Sequence, residues 1–383
     1  MNILILCPSI SGSGGLQRVV INWANYFISN HKITIGTLEH KTKNYYKIDE
    51  KINVEYLRKC RYKPYQIFSG LLRKLSLNGK IKISYAKKEK IFYPTYRLNA
   101  YYNYICSGKY NIVIAIGMDM SIILSMLKSK LPDTIMVGWE HNTFDAYFEE
   151  KGRYSYGLKE IVQNSLSTLD KLIVLTKYDE KQYKEIIKAP VFTISNPLSF
   201  LTDKVSDITN HKLLFVGRLD IKSKGIDILL RIVSIVLSEF NNWELIIVGD
   251  GERKKIKTMI AKMGLDKQVK MVGEIKNTSK YYISSSILLS TSRWEGFGLV
   301  ITEAMECGLP VVAFDNLGPS EIITNGKDGF LIPRYNEQEF AEKLILLMEN
   351  INLRETMSKA AIKKAQLYYP DKIYKRWSEI LQI

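Results

Sequence analysis

The chain has 383 residues, 46% of them hydrophobic and 25% charged, which argues against a disordered chain and for more than one folded core, since single cores stop growing near ~250–300 residues. Its four cysteines, Cys7, Cys60, Cys106 and Cys307, are scattered and form no CxxC pair, which argues against a disulfide framework or a zinc site. The net charge of +16 calls for an anionic partner or surface.

Met1 to Pro8 is apolar but short, has no basic leader and runs into a glycine-rich stretch. It reads as a first β-strand, not a secretion signal. Leu16–Ser29 reads as a helix, with Val19, Val20, Trp23 and Phe27 at helical spacing. Lys32–Thr37, Ile112–Ile116, Ile135–Trp139 and Lys171–Leu175 read as further strands. The longest apolar stretch, Ile112 to Leu127, contains Gly117 and Asp119. It is expected to be a strand followed by a helix, not a membrane span. With no span and no secretion signal, the chain is expected in the cytoplasm.

Between Arg58 and Lys90 lie eleven Lys/Arg and one carboxylate, Glu89. Aromatic residues are interleaved, and Ile67, Phe68, Leu71, Leu72 and Leu75 recur at helical spacing. This pattern suits a basic amphipathic helix on an anionic membrane surface. A solvated basic face over ordinary core residues and a nucleic-acid contact are the alternatives.

A turn signal at Ser195-Asn196-Pro197 separates a second series of strands: Lys212–Val216, Glu244–Val248, Val269–Val272, Ile287–Leu289 and Pro310–Ala313. Helical patterns over Gly225–Phe240 and Glu252–Met263 lie between them. Two βα series predict two open parallel sheets with helices on both faces. The expected organisation is an N-terminal domain over 1–195, a second domain over 196–367, and a final helical segment over 368–383 carrying Tyr374 and Trp377.

The candidate chemistry lies at strand ends. Trp294-Glu295-Gly296-Phe297-Gly298-Leu299 joins a strand to a helix that carries Glu303. Glycines let the backbone approach a ligand, and helix-start amides suit phosphate oxygens. If all eight steps from Glu295 to Glu303 were helical, the rise would be ~12 Å. A hydrolase pair needs about 5–9.5 Å, so two separate roles along an elongated ligand fit better. Gly217-Arg218 and Lys224 place two cations after another strand, suited to a diphosphate or to an ordinary lysine-rich surface loop. Gly249-Asp250-Gly251 and Gly273-Glu274-Ile275 end two more strands, where backbone groups suit a nucleobase. Near the start, Gly12, Gly14 and Gly15 do not fit the dinucleotide pattern G-x-G-x-x-G. Trp139-Glu140-His141-Asn142 closes a strand with three polar residues, a position that favours function for His141 over a structural role.

In order and spacing, these motifs resemble the retaining glycosyltransferases of family 4, which have the GT-B fold. The resemblance covers nearly the whole chain and is strongest from Phe215 to Pro333. Gly308-Leu309-Pro310-Val311-Val312, Gly318-Pro319-Ser320-Glu321 and Gly326 to Ile332 continue it. Gly14-Gly15-Leu16-Gln17-Arg18 and the Trp139–Asn142 run resemble members that build bacterial surface polysaccharides such as lipopolysaccharide and capsule. The resemblance implies an α/β fold of two Rossmann-like, doubly wound parallel-sheet domains facing across a cleft. It implies that the first domain binds the acceptor and the second the nucleotide sugar, with the final segment crossing back. By position, Arg218 and Lys224 would bind the donor diphosphate. Phe297, Gly298 and Leu299, after Gly296, would offer amides. Glu295 would hold sugar hydroxyls and Glu303 the ribose. Gly217, Gly249, Gly273 and Ile275 would line the donor. Gly14 and Gly15 would lie against the diphosphate, and His141 would help at the reacting carbon.

The expected activity is hexosyl or N-acetylhexosaminyl transfer without a metal, from a donor that the Gly318-Pro319 variant makes UDP-linked. The expected acceptor is a lipid-linked oligosaccharide or lipopolysaccharide at the inner face of the membrane, with no nucleic acid involved. A nicotinamide-dependent oxidoreductase is disfavoured by the missing fingerprint. A non-catalytic sugar-nucleotide or nucleic-acid-binding protein is the remaining alternative.

Overall fold

A computed structural model describes residues 1–57, 72, 75, 84–149 and 157–383. Most of the basic segment from Arg58 to Lys90 therefore lies outside the described residues. The chain divides into two compact units, Met1–Ser195 with Tyr374–Ile383, and Asn196–Ile373.

The first unit holds a seven-stranded sheet. Its strands are β1 (Asn2–Cys7), β2 (Lys32–Thr37), β3 (Asn53–Tyr56), β4 (Ile112–Ile116), β5 (Ile135–Trp139), β6 (Lys171–Val174) and β7 (Val191–Thr193). They run in the order β3-β2-β1-β4-β5-β6-β7, and every pairing is parallel. The central strands are continuous apolar runs because helices cover both faces. Ile3, Leu4, Ile5, Ile112, Val113 and Ile114 are all fully buried.

The last helix, Pro370–Leu381, adds its aromatic face to this unit. Trp377 packs edge-on to Trp23 at 5.6 Å and to Trp139 at 4.6 Å between ring centroids. Tyr374 lies 4.3 Å from Tyr26 and 5.7 Å from Phe27. The apolar spacing of Ile373, Tyr374, Trp377 and Ile380 puts these residues on one buried stripe.

The second unit holds a six-stranded parallel sheet ordered β10-β9-β8-β11-β12-β13. These are β8 (Lys212–Val216), β9 (Glu244–Val248), β10 (Val269–Gly273), β11 (Ile287–Ser290), β12 (Val311–Phe314) and β13 (Gly329–Ile332). The order reverses between β8 and β11, and between β1 and β4 in the first sheet. Ligands of open parallel sheets bind beyond the carboxyl ends of strands at such reversals. Among the described residues, no helix is long and apolar enough to cross a membrane.

The structure adds β3, β7 and β13 to the strands read from sequence. The helix expected over Gly225–Phe240 forms, and Gly225 separates it from an added single turn. A short helix, Ile221–Lys224, ends there, and Ile226–Glu239 starts afresh.

Candidate active site

In the second unit, the reversal point is built from the loops that follow β8 and β11. After β8, Asp220 caps the short helix by accepting from the amides of Lys222 (3.0 Å) and Ser223 (3.2 Å). The single turn that follows aims Lys224 toward the loop after β11. Its Nζ donates to Glu295 Oε2 at 2.5 Å, and Ser292 Oγ donates to the same oxygen at 3.3 Å. The Lys224 and Glu295 side chains are 20% and 16% exposed, so both charges sit at the edge of the protein with a face toward water.

Backbone contact holds these two loops in register. Gly225 has φ +63°, and a Cβ there would lie 2.1 Å from the Thr291 carbonyl oxygen. Thr291 Oγ1 in turn donates to the carbonyls of Lys224 and Gly225, both at 3.1 Å. Arg293, which the sequence reading passed over, completes the brace. It donates to Ile221 O (2.7 Å) and forks onto Asp227 at 2.9 and 2.7 Å. Burial pushes the Asp227 carboxyl up, but the Arg293 fork outweighs it and holds the group below the usual carboxylate range.

The ends of β8, β9 and β10 form a backbone shelf. Gly217 N donates to Val248 O (3.0 Å), and Gly249 N donates to Gly273 O (2.8 Å). At Gly249, φ is +146° and a Cβ would sit 1.8 Å from Gly217 O, so no side chain fits. Ile275 lies half-buried two residues beyond Gly273, and Arg218 is exposed at the end of β8.

Glu295 to Gly298 is non-helical, and the helix begins at Leu299 with Gly298 as its cap. Gly296 is half-buried. Phe297 is buried and packs edge-on to Tyr368 at 5.6 Å. The amide of Gly318 donates to Glu295 O at 3.2 Å, fixing the turn from the far side. Glu303 stands apart from the Lys224–Glu295 pair. It is 1% exposed, and its Oε2 accepts from the Tyr282 hydroxyl at 2.8 Å. The two carboxylates of this segment therefore have different partners and different solvation.

In the first unit, His141 follows β5. Its ring lies 4.6 Å from that of Trp139, and its Nε2 is buried with no hydrogen-bond partner among the described residues. Burial depresses its pKa to about 3, which keeps the imidazole neutral at physiological pH. Beside it, Glu140 is fully buried and accepts from Ser121 Oγ at 2.7 Å. Burial pushes that carboxyl up to about 7, against the lowering hydrogen bonds of Ser121 and Tyr147. Gly14 caps the helix Gly15–Phe27 and is exposed, while Gly15 is half-buried. The structure thus joins Lys224 to Glu295, sets Glu303 on Tyr282, and places Gly14, Gly15 and His141 on the other unit. Among the described residues, no group of three or more His, Cys, Asp or Glu side chains converges as a metal ion would require.

Residues 202–364 match the family model described as Glycosyl transferases group 1. The matched residues lie within the second unit, and the two parallel sheets are those of the GT-B fold. The chain is 28% identical to the amylovoran biosynthesis glycosyltransferase AmsD of Erwinia amylovora, over 99% of each chain. It is 24% identical, over 96% of this chain and 95% of the other, to a Campylobacter jejuni enzyme. That enzyme is named GalNAc-alpha-(1->4)-GalNAc-alpha-(1->3)-diNAcBac-PP-undecaprenol alpha-1,4-N-acetyl-D-galactosaminyltransferase. Among solved structures, Anabaena Alr3699/HepE in complex with UDP-glucose superposes with a TM-score of 0.75. It is 21% identical and covers 100% of this chain and 99% of its own.

Proposed function

We propose that this chain is a retaining glycosyltransferase of family 4. It moves a hexosyl or N-acetylhexosaminyl unit from a UDP-sugar to a lipid-linked oligosaccharide or lipopolysaccharide in surface polysaccharide biosynthesis. The observation that carries this reading is the Lys224–Glu295 pair, set at the strand reversal of the unit that holds the matched domain. The relatives' roles in amylovoran biosynthesis and on an undecaprenol-linked saccharide support the polymer and the acceptor. The UDP-glucose of the Anabaena structure supports the donor.

The chemistry follows from the residues. The bond from the sugar's C1 to the diphosphate oxygen breaks through an oxocarbenium-like state. Arg218 and Lys224 stabilise the negative charge that builds on the leaving diphosphate, and preorganised charge of this kind is commonly a large catalytic term. Amides of Phe297, Gly298 and Leu299, beside Gly296, face phosphate or sugar oxygens. Glu295 accepts from sugar hydroxyls and also holds Lys224 in place. Glu303 receives the ribose hydroxyls. The shelf of Gly217, Gly249, Gly273 and Ile275 reads the nucleobase through backbone groups.

Gly14 and Gly15 serve the diphosphate. His141, neutral because its ring nitrogen is shielded from water, hydrogen-bonds the donor sugar near the reacting carbon without adding a positive charge next to the oxocarbenium. The acceptor hydroxyl attacks from the face of the departing phosphate, whose oxygen takes the proton. No metal takes part in this scheme. The basic segment from Arg58 to Lys90 brings the chain to the anionic inner face of the cytoplasmic membrane, where a lipid-linked acceptor lies.

A panel of UDP-, GDP- and ADP-sugars, scored for binding and for slow hydrolysis, tests the reading. Binding and release of UDP from one UDP-sugar supports it. Binding without any turnover favours a non-catalytic sugar-nucleotide-binding protein.

A further inference from the structure

We propose that Glu39 is a positioning residue that fixes the glycine loop after β1 from beneath. The inference rests on the proposed reading of that loop as a donor-facing element. In the parallel register of β1 and β2, Cys7 stands beside Thr37. Ser9 and Glu39, each two residues further on, therefore emerge side by side. Glu39 uses both carboxylate oxygens on the loop. Oε1 accepts from the backbone amides of Ile10 and of Ser11, the latter at 2.8 Å. Oε2 accepts from Ser9 Oγ at 3.0 Å and Ser11 Oγ at 2.6 Å.

Four donors on three consecutive residues leave this backbone little freedom. The loop then runs through Gly12, Ser13 and Gly14 into the helix Gly15–Phe27. Tyr46 adds a second tether, its hydroxyl donating to Ser13 O at 2.7 Å. Gly12 and Gly14 offer no side chains to fix their own path, so Glu39 and Tyr46 hold it from either end, with the Tyr45 amide donating to Ser11 O at 3.3 Å and Cys7 Sγ to Ser9 O at 3.0 Å. A carboxylate close to a diphosphate site would ordinarily repel the ligand. Here its lone pairs are directed into the loop and occupied. Burial pushes the Glu39 carboxyl up, but the hydrogen bonds from Ser11, Ile10 and Ser9 outweigh it and hold the group below its ordinary value.

The geometry separates positioning from chemistry. A glutamine amide can reproduce all four contacts. Its oxygen accepts from the two amides, and its NH2 donates to the two serine hydroxyls, which can accept as well as donate. A general base cannot be replaced in this way.

The experiment compares Glu39→Ala, Glu39→Gln and Gly14→Val in the full chain. It reads amide hydrogen exchange over residues 9–18, and kcat and KM for release of UDP from UDP-glucose and UDP-N-acetylglucosamine. Glu39→Ala is expected to speed exchange in the loop and to lower kcat by about 10- to 100-fold, the scale set by misplacing a site group by about an ångström. Glu39→Gln is expected to keep wild-type exchange and to stay within about 3-fold in kcat, because its contacts survive. Wild-type exchange in Glu39→Ala, or a Glu39→Gln as impaired as Glu39→Ala, overturns the proposal. Unchanged turnover in Gly14→Val would instead sink the underlying reading of the loop, whatever Glu39 does.

Discussion

Lys224 and Glu295 form a 2.5 Å ion pair between the loops after β8 and β11, the two adjacent strands at which the order of the second sheet reverses. The pair is separated by 71 positions in the chain and is assembled by a capped single turn and a glycine contact. Lys224→Ala is expected to lower turnover by about 10²- to 10³-fold, the usual loss when one preorganised charge is removed. Partly exposed ion pairs are worth about 0–1 kcal/mol, so the fold should persist. Steady-state kinetics beside thermal unfolding checks both halves of this expectation.

Glu295→Gln separates the two roles given to that carboxylate. The amide keeps a hydrogen bond to a sugar hydroxyl but no longer balances the Lys224 charge. Transfer should fall while UDP binding holds or tightens, because Lys224 is released toward the diphosphate. Calorimetry with UDP and a turnover assay measure the two effects independently.

Glu140 and His141 give opposite pH dependences to stability. His141 is neutral down to about 3 in the folded chain but titrates near 6.5 when unfolded. The unfolded state therefore binds the extra proton between those values, and stability from this group is lost as pH falls below about 6.5. Glu140 holds its proton up to about 7 when folded and to about 4.3 when unfolded. Its contribution is present below about 4.3 and is lost as pH rises toward 7. Glu140→Gln should therefore be more stable relative to wild type at pH 8 than at pH 4.5. Denaturant titrations at the two pH values give the difference directly.

Trp377 is 1% exposed and packed on Trp23 and Trp139. Trp377→Ala should cost about 3–5 kcal/mol, as for other large-to-small changes at buried aromatics. The loss should fall on the unit that contains Met1–Ser195, because the helix packs there. Urea unfolding followed through hydrogen exchange in the two sheets localises it.

Much of the fold was legible because central parallel strands are apolar on both faces and read as unbroken runs, as Ile3–Cys7 and Ile112–Ile116 do. The strands that sequence reading missed, Asn53–Tyr56, Val191–Thr193 and Gly329–Ile332, are all sheet edges of three or four residues. An edge strand has one neighbour and needs no long apolar run. Lys224 and Glu295 were legible because each sits in a glycine-marked strand end. Glu39, Tyr282, Arg293 and Ser121 were not, because their roles depend on partners 19 to 72 positions away. Local patterning carries no trace of such pairings. Glu303 was read from its spacing to Glu295, but spacing could not reveal that it is buried against Tyr282.

The most direct test of the Lys224–Glu295 assignment compares the wild-type chain with Lys224→Ala for release of UDP from a UDP-hexose under saturating donor. The account predicts steady UDP release by the wild type and a loss of at least about 100-fold in the variant, with the same unfolding midpoint. Equal rates in the two proteins would contradict it.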